Sequence, residues 1–399
     1  MYVPSQKILK NYADILIKFA LWWGKWIQPW EVVYLQVPES AKLLLVELQK
    51  SVLEAGWFFI TNFIPEWTQR NLFEYWNDEQ INFWPRDYYL EITNTCTHFL
   101  GIVSSWDKYE LKWIDSKKII WRQQAAKFYM DARRDKENAW KMTWTMGLYG
   151  TQAMADAAWL TLEEYWNEII KSCFLDDADP IAKWQEIFVS MEDIKSRLDN
   201  LKIEKVHIEW EDADLHIKIW KNRRWLGGSG RNIPSFEIFT SPDWRWTNWW
   251  IKFNQPLYRY GNRVDWMKLV FKDWLITEAS ADNWEDLLKE MVAAENADKL
   301  WEFSLTDRRF SKITKFMWET LYDENVWWVY GNTHVAIWAS FHEAFDWDVA
   351  NTPKEDFENM GFNESPIHTD LMSTKNRKVT ATLEDWTEVV IYEDWEFKI

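Results

Sequence analysis

From Ser5 onward the apolar residues Ile8, Leu9, Tyr12, Ile15, Leu16 and Phe19 recur at helical spacing, and Ser5 stands where it can cap the first turn. The chain is therefore expected to open with a helix. Residues 31–37 form an apolar run of strand length, a helical pattern follows through Leu44, Leu45, Leu48 and Val52, and residues 57–60 read as a second strand. Strand, helix, strand in that order predicts a parallel sheet, because a parallel neighbour is reached only through a long crossover. A third strand is expected at 97–103 and a helix over 116–134, and Thr161-Leu162-Glu163-Glu164 has the spacing of a capping box.

The pattern changes after Asp176-Asp177-Ala178-Asp179-Pro180, where charge and a proline precede a long helical stretch to about Asn200. Short strands then dominate, at 205–209, 215–220, 267–271, 379–383 and 389–392, with helical stretches near 284–294 and 313–322. The expected architecture is an N-terminal α/β domain over residues 1–178, a parallel sheet with helices. An α+β, largely antiparallel C-terminal domain is expected over 179–399.

Composition narrows the partners. There are 46 basic and 63 acidic residues, a formal net charge of −17, which works against the positive face that a phosphate backbone requires; no nucleic-acid partner is expected. Cys96 and Cys173 stand far apart without a C-x-x-C spacing, so neither a disulfide framework nor a thiolate zinc site is expected, and both are read as buried small hydrophobes. No signal-peptide pattern and no run of 18 apolar residues occurs, so the expectation is a cytoplasmic protein without a membrane partner.

One figure departs from the norm: 34 Trp against 11 Gly, where an average usage of about 7% would give roughly 28 glycines. Part of the deficit falls on turns. Lys272-Asp273-Trp274, Glu384-Asp385-Trp386 and Glu393-Asp394-Trp395 each carry Trp where a hairpin normally reads Asp-Gly. A side chain held at positive φ is strained by about 1–2 kcal/mol, so each such turn is expected to cost stability.

Candidate chemistry gathers in the second half. His368 and Asp370 lie two residues apart in an extended stretch, where i and i+2 share a face and can hold one cation together. Alone, such a triplet equally describes two solvated groups on a surface strand. Glu237, Glu302, Glu324 and His334 change the balance, because each lies in or beside an apolar run. Carboxylates turned into an apolar core need partners, and several of them beside two histidines need a cation. Leu226-Gly227-Gly228-Ser229-Gly230-Arg231 lacks the Gly-Lys-Ser/Thr ending of a phosphate loop and is read as a flexible loop leading into Glu237. Arg223, Arg224 and Arg231 are read as a solvated basic patch, with pairing to a carboxylate as the alternative, His98 as a core or edge histidine, and His342 as facing solvent.

These residues carry a resemblance. Over essentially its whole length, through Arg231-Asn232-Ile233-Pro234-Ser235-Phe236-Glu237-Ile238-Phe239-Thr240-Ser241-Pro242-Asp243 and the His368-Thr369-Asp370 context, the chain resembles the M29 family of metallo-aminopeptidases. The resemblance implies that Glu237, Glu302, Glu324, His334, His368 and Asp370 hold two divalent metal ions, for which Zn and Co are both suited. It implies removal of N-terminal residues from peptide substrates by a homodimer, with Glu302 as bridging ligand or general base. It also implies that Trp has replaced the family glycine at the three Asp-Trp turns and at Trp140, Trp159, Trp210, Trp301 and Trp338.

One departure bears on activity. Seven residues after His334 the family has a tyrosine that is thought to stabilise the transition state, and this chain has Phe341. Loss of one oxyanion donor costs roughly 10²–10³ in turnover. The expectation is a metal-binding but slow aminopeptidase; the alternative is a non-catalytic or engineered relative that keeps the scaffold and metal site without turnover. A tryptophan platform for carbohydrate fits poorly, because the tryptophans fall at turns without regular spacing.

Overall fold

A computed structural model describes residues 2–22, 30–219, 222–259, 261–326, 331–338, 340–363, 365 and 368–399, the side chains of Trp22, Trp338 and His368 excepted. Ser5 caps α1 (Gln6–Asp14), its Oγ accepting the Ile8 N–H at 3.3 Å. After α1 come a π-helical turn (Ile15–Phe19) and a 3-10 turn (Ala20–Trp22). The chain continues through β1 (Val32–Pro38), α2 (Lys42–Glu54), β2 (Phe58–Ile64), α3 (Gln69–Tyr75), α4 (Asp78–Asn82), α5 (Arg86–Thr95), β3 (His98–Val103), α6 (Ser116–Ala125) and α7 (Lys127–Asn138). Next are β4 (Thr143–Leu148), α8 (Gln152–Ala157), α9 (Leu162–Ser172) and α10 (Pro180–Asn200). The second half holds β5 (Ile203–Trp210), β6 (Ala213–Lys218), β7 (Glu237–Thr240), β8 (Asp243–Lys252), β9 (Leu257–Arg259), β10 (Asn262–Val264), β11 (Lys268–Lys272) and β12 (Leu275–Ser280). It closes with α11 (Glu285–Val292), β13 (Leu300–Thr306), α12 (Thr320–Asp323), β14 (Asn332–Trp338), α13 (Lys354–Asn359), β15 (His368–Ser373), β16 (Lys378–Leu383), β17 (Glu388–Glu393) and β18 (Glu396–Phe397).

Two compact units result. One comprises Met1–Glu186, Ser229–Ser235 and Phe316–Tyr322, the other Ile187–Gly228, Phe236–Lys315 and Asp323–Ile399. In the first unit a parallel sheet of order β2-β1-β3-β4 carries helices, as the strand-helix-strand order implies. Consecutive residues Val33, Tyr34 and Leu35 of β1 are all buried, so both faces of that strand are covered. Tyr34, Ile92, Cys96, Phe99, Tyr129 and Met142 pack into one cluster. His98 is a satisfied core histidine, with Nδ1 2.6 Å from Thr143 Oγ1 and Nε2 2.9 Å from Glu31 Oε2. The single helix expected over 116–134 is broken at Ala126, whose ψ of −6° turns the chain from α6 into α7.

The second unit is largely antiparallel. An eight-stranded sheet has the order β12-β11-β8-β6-β5-β16-β17-β18, a four-stranded sheet the order β15-β14-β13-β7, and β9 and β10 form a hairpin. Two buried side chains tie the larger sheet to the smaller. Tyr392 on β17 donates its hydroxyl to Thr306 O of β13 at 2.8 Å, and the fully buried Arg377, just before β16, donates to Thr333 Oγ1 of β14 at 3.0 Å and to Asp212 at 3.1 Å. The helix expected over 313–322 is reduced to α12. The Ser311 hydroxyl accepts the Ile313 N–H and donates to Asn325 O, which holds the approach in an irregular turn.

Scarce glycine leaves its mark on the backbone. Helix α2 ends in the usual left-handed cap: Gly56 at φ 81°, its N–H on Leu53 O, and the Trp57 N–H on Val52 O. Helices α7, α8 and α9 close with the same pair of bonds but place Trp140 (φ 58°), Trp159 (φ 55°) and Phe174 (φ 55°) in the left-handed position. The three Asp-Trp turns behave alike, with Trp274 at φ 76°, Trp386 at 67° and Trp395 at 57°. Trp210 and Trp301 are different; they lie within β5 and β13 and are absent from the positive-φ set.

A backbone that demands φ > 0 is indifferent to glycine and strained by tryptophan. Trp159 and Trp386 are 79% and 76% exposed, so little packing is lost on removing either ring. Trp159→Gly and Trp386→Gly should each stabilise the protein by about 1 kcal/mol, read as a higher urea midpoint at unchanged slope. Trp210→Gly, inside a strand, should lower that midpoint.

Candidate metal centre

The four-stranded sheet builds the site by register. Opposed residues of antiparallel strands share a face, as do alternate residues along each strand. Glu302 lies opposite Ala336, Ala336 opposite Asp370, Ser304 opposite His334, and Thr306 opposite Glu237. One residue from each of the four strands, Glu237, Glu302, His334 and Asp370, therefore falls on the same face. A register irregularity between Leu300 and Glu302 adjusts β13 just where its carboxylate is presented.

The side chains converge. His334 Nε2 lies 3.2 Å from Glu237 Oε2 and 3.4 Å from Glu302 Oε1, and Ser304 Oγ donates to Glu237 Oε2 at 3.4 Å. Glu237, Glu302 and His334 each offer a ligand atom within 4.8 Å of the others, and they are 7%, 3% and 1% exposed. Glu324 enters from the end of α12, buried, with its carbonyl accepting the Thr306 hydroxyl at 3.3 Å. Asn325 Nδ2 donates to Glu324 Oε1 at 3.4 Å, while its Oδ1 accepts the Phe236 N–H at 2.7 Å, which fixes the start of β7.

Burial and crowding set the charges. Burial, then the neighbouring Glu237, Asp370 and Glu302 carboxylates, raise the Glu324 carboxyl well above its ordinary range against the opposing pull of His334. For His334, burial favours the neutral ring, but the hydrogen bonds and charges of Glu237 and Glu302 prevail and hold its proton well above the usual imidazole range. Among the described residues, four carboxyl groups, each less than a tenth exposed, thus gather about the His334 imidazole. Buried carboxylates in such number are costly unless positive charge is brought among them. A set of carboxylate oxygens and one imidazole nitrogen suits a divalent cation. His334 Nδ1 is buried with no hydrogen-bond partner among the described residues, so the ring is oriented by what Nε2 faces.

A family model described as thermophilic metalloprotease (M29) matches residues 5–397. The chain belongs to the M29 family. Membership implies a divalent metal cofactor, in agreement with the donor set. Among curated M29-like relatives, Aminopeptidase 2 of Geobacillus stearothermophilus is 24% identical over 405 residues, covering 92% of each chain. Aminopeptidase T of Thermus aquaticus is 26% identical over 242 residues, 57% of each chain. The solved structure of wild-type AmpT from Thermus thermophilus superposes with a TM-score of 0.84 at 19% identity over 99% of this chain and all of that one, a likeness of fold.

Of the residues singled out in the sequence, Glu237, Glu302 and His334 meet directly, and Glu324 and Asp370 belong to the same electrostatic cluster. His368 pairs with Trp338 at the start of β15, and both side chains lie outside the described residues. Trp301, beside Glu302, is 1% exposed, and its indole N–H has no hydrogen-bond partner among the described residues. Phe341 follows β14, its ring 5.1 Å from that of Phe239 and its N–H on Ser241 Oγ at 2.9 Å.

Three expectations need correction. His342 does not face solvent; it is buried and stacked on Phe357 at 4.1 Å. The arginines form no solvated patch: Arg223 is buried and donates to Ser241 O and Met360 O, Arg224 donates to Glu343 O, and Arg231 pairs with Glu137 at 2.7 Å. The glycine segment is pinned at its start, since Leu226 and Phe239 exchange backbone hydrogen bonds of 2.7 and 3.0 Å. Gly227 passes so close to β7 that a Cβ would lie 2.1 Å from Glu237 O, which explains the glycine. Ser304 and Asn325 were not anticipated, although Ser304 sits two residues from Glu302 and strand alternation alone puts it on the same face.

Proposed function

We propose that this protein is a metal-dependent aminopeptidase that removes N-terminal residues from peptides. The observation that carries the proposal is the buried meeting of Glu237, Glu302 and His334 on one sheet face, with Glu324 and Asp370 beside them. In this reading Glu237, Glu302, Glu324, His334, His368 and Asp370 hold two divalent ions, Zn or Co. When bound, such ions supply Lewis-acid polarisation of the scissile carbonyl and a nucleophile at neutral pH.

The chain's own residues do the rest. Glu302, buried with one oxygen towards His334, would serve as bridging ligand or as the general base that takes a proton from water. Ser304 and Asn325 orient Glu237 and Glu324 through their hydrogen bonds. Phe341 offers no hydroxyl to a developing oxyanion, so the enzyme works slowly. Residues 1–178 form the α/β domain and 179–399 the catalytic one, two chains form a homodimer, and the protein works in the cytoplasm. In this reading Trp140, Trp159, Trp274, Trp386 and Trp395, all at positive φ, and Trp210, Trp301 and Trp338 stand where relatives use glycine. The second reading, a scaffold that keeps the metal without turnover, rests on the same Phe341.

The test is hydrolysis of a short peptide with a free amino terminus beside its N-acetylated form, before and after chelation. Release of the first residue only from the free peptide, abolished by chelator and lowered at least about 10²-fold by Glu302→Gln, is expected. Hydrolysis of the acetylated peptide at equal rate, or indifference to chelator, would reject an aminopeptidase. Phe341→Tyr should raise turnover roughly 10²-fold at unchanged metal content. No gain would remove the role assigned to that position.

A further inference from the structure

A second cluster of ligand-type side chains lies on the eight-stranded sheet, away from the strands that carry the candidate centre. In the antiparallel pair β5 and β6, His207 is directly opposite His216, and Glu209 directly opposite Asp214. Alternation puts all four on one face, so two of the chain's six histidines and two carboxylates form a block of His-x-Glu facing Asp-x-His. We propose that His207, Asp214 and His216 form a second divalent-metal site, taking an ion of the zinc, nickel or copper type.

The donor atoms already lie close together. His207 Nε2 and His216 Nε2 approach the same oxygen, Asp214 Oδ1, at 2.9 and 3.5 Å. The two rings are stacked, 9° apart with centroids 4.0 Å from each other, so their lone pairs run side by side, and an ion held by both requires one ring to turn about its side-chain bonds. The three residues offer ligand atoms all within 4.8 Å. Two imidazoles and one carboxylate match the borderline ions late in the first transition series, and three protein ligands leave a position open.

The surroundings favour occupation. Glu209 Oε2 lies 3.9 Å from His207 Nδ1 on the side away from Asp214, where an outer carboxylate can orient the ring; its other oxygen is held by Lys378 at 2.8 Å. The side chains of His207, Asp214 and His216 are 32%, 47% and 46% exposed, and His216 also lines an open cleft with Trp246, Trp249 and Trp250, which gives an ion its path.

The experiment is equilibrium dialysis of chelator-stripped protein against micromolar Zn²⁺, with zinc per chain counted for the wild type, His216→Asn, His207→Ala and Glu302→Gln. The expected result is the loss of one ion per chain in each histidine variant, with peptidase activity unchanged, and retention of that ion in Glu302→Gln. Equal zinc in the wild type and both histidine variants would overturn the proposal. Because both histidines are partly solvent-exposed, unchanged far-ultraviolet circular dichroism separates loss of the ion from loss of the fold. Glu302→Gln reports on the other centre, so failure there leaves the comparison at His207 and His216 intact.

Discussion

Buried negative charge is the constraint on which the second unit depends. Glu237, Glu302, Glu324 and Asp370 are each less than a tenth exposed and meet about the His334 imidazole. Apolar packing does not offset such an arrangement, whereas positive charge does. The surrounding structure is arranged to hold it in place: Arg377 and Tyr392 fasten β13 and β14 to the larger sheet, Asn325 fixes the start of β7, and Gly227 lets the preceding loop lie against Glu237 O. A cation among these groups turns repulsion into attraction.

The backbone carries a second cost of a different kind. Helix caps at Trp140 and Trp159 and turns at Trp274, Trp386 and Trp395 hold at positive φ a residue type that is strained there. Each strained position draws on a net stability that is only about 5–15 kcal/mol for a typical protein. The strain is spread over helix ends and hairpin turns, whereas the strands of the metal centre take their shape from register and burial. The two costs therefore have different origins, one in backbone dihedrals and the other in buried charge.

Local pattern made much of this legible. Apolar runs and caps located α1, α2, α9, β1 and β3, and the β-α-β order foretold the parallel sheet. The Asp-Trp pairs marked three turns, and Trp in the place of glycine there marked their unusual φ. Carboxylates inside apolar runs pointed to Glu237, Glu302 and Glu324. What stayed hidden depends on contacts distant in sequence. The break at Ala126, the shortening of α12 by the Ser311 hydroxyl, the burial of His342 on Phe357 and the backbone partners of Arg223 leave no periodic trace. The facing of His207 and His216 is also of this kind, because the register of β5 against β6 creates it.

The most direct measurement is an anomalous difference map from crystals equilibrated with Zn²⁺ and collected at the zinc edge. In this centre, apart from any peak at His207 and His216, two peaks about 3.5–4 Å apart are expected, enclosed by Glu237, Glu302, Glu324, His334, His368 and Asp370 with oxygen contacts of about 2.0–2.2 Å. Folded protein with no peak among those carboxylates would contradict a metal centre on this sheet, and with it the peptidase chemistry assigned to the chain.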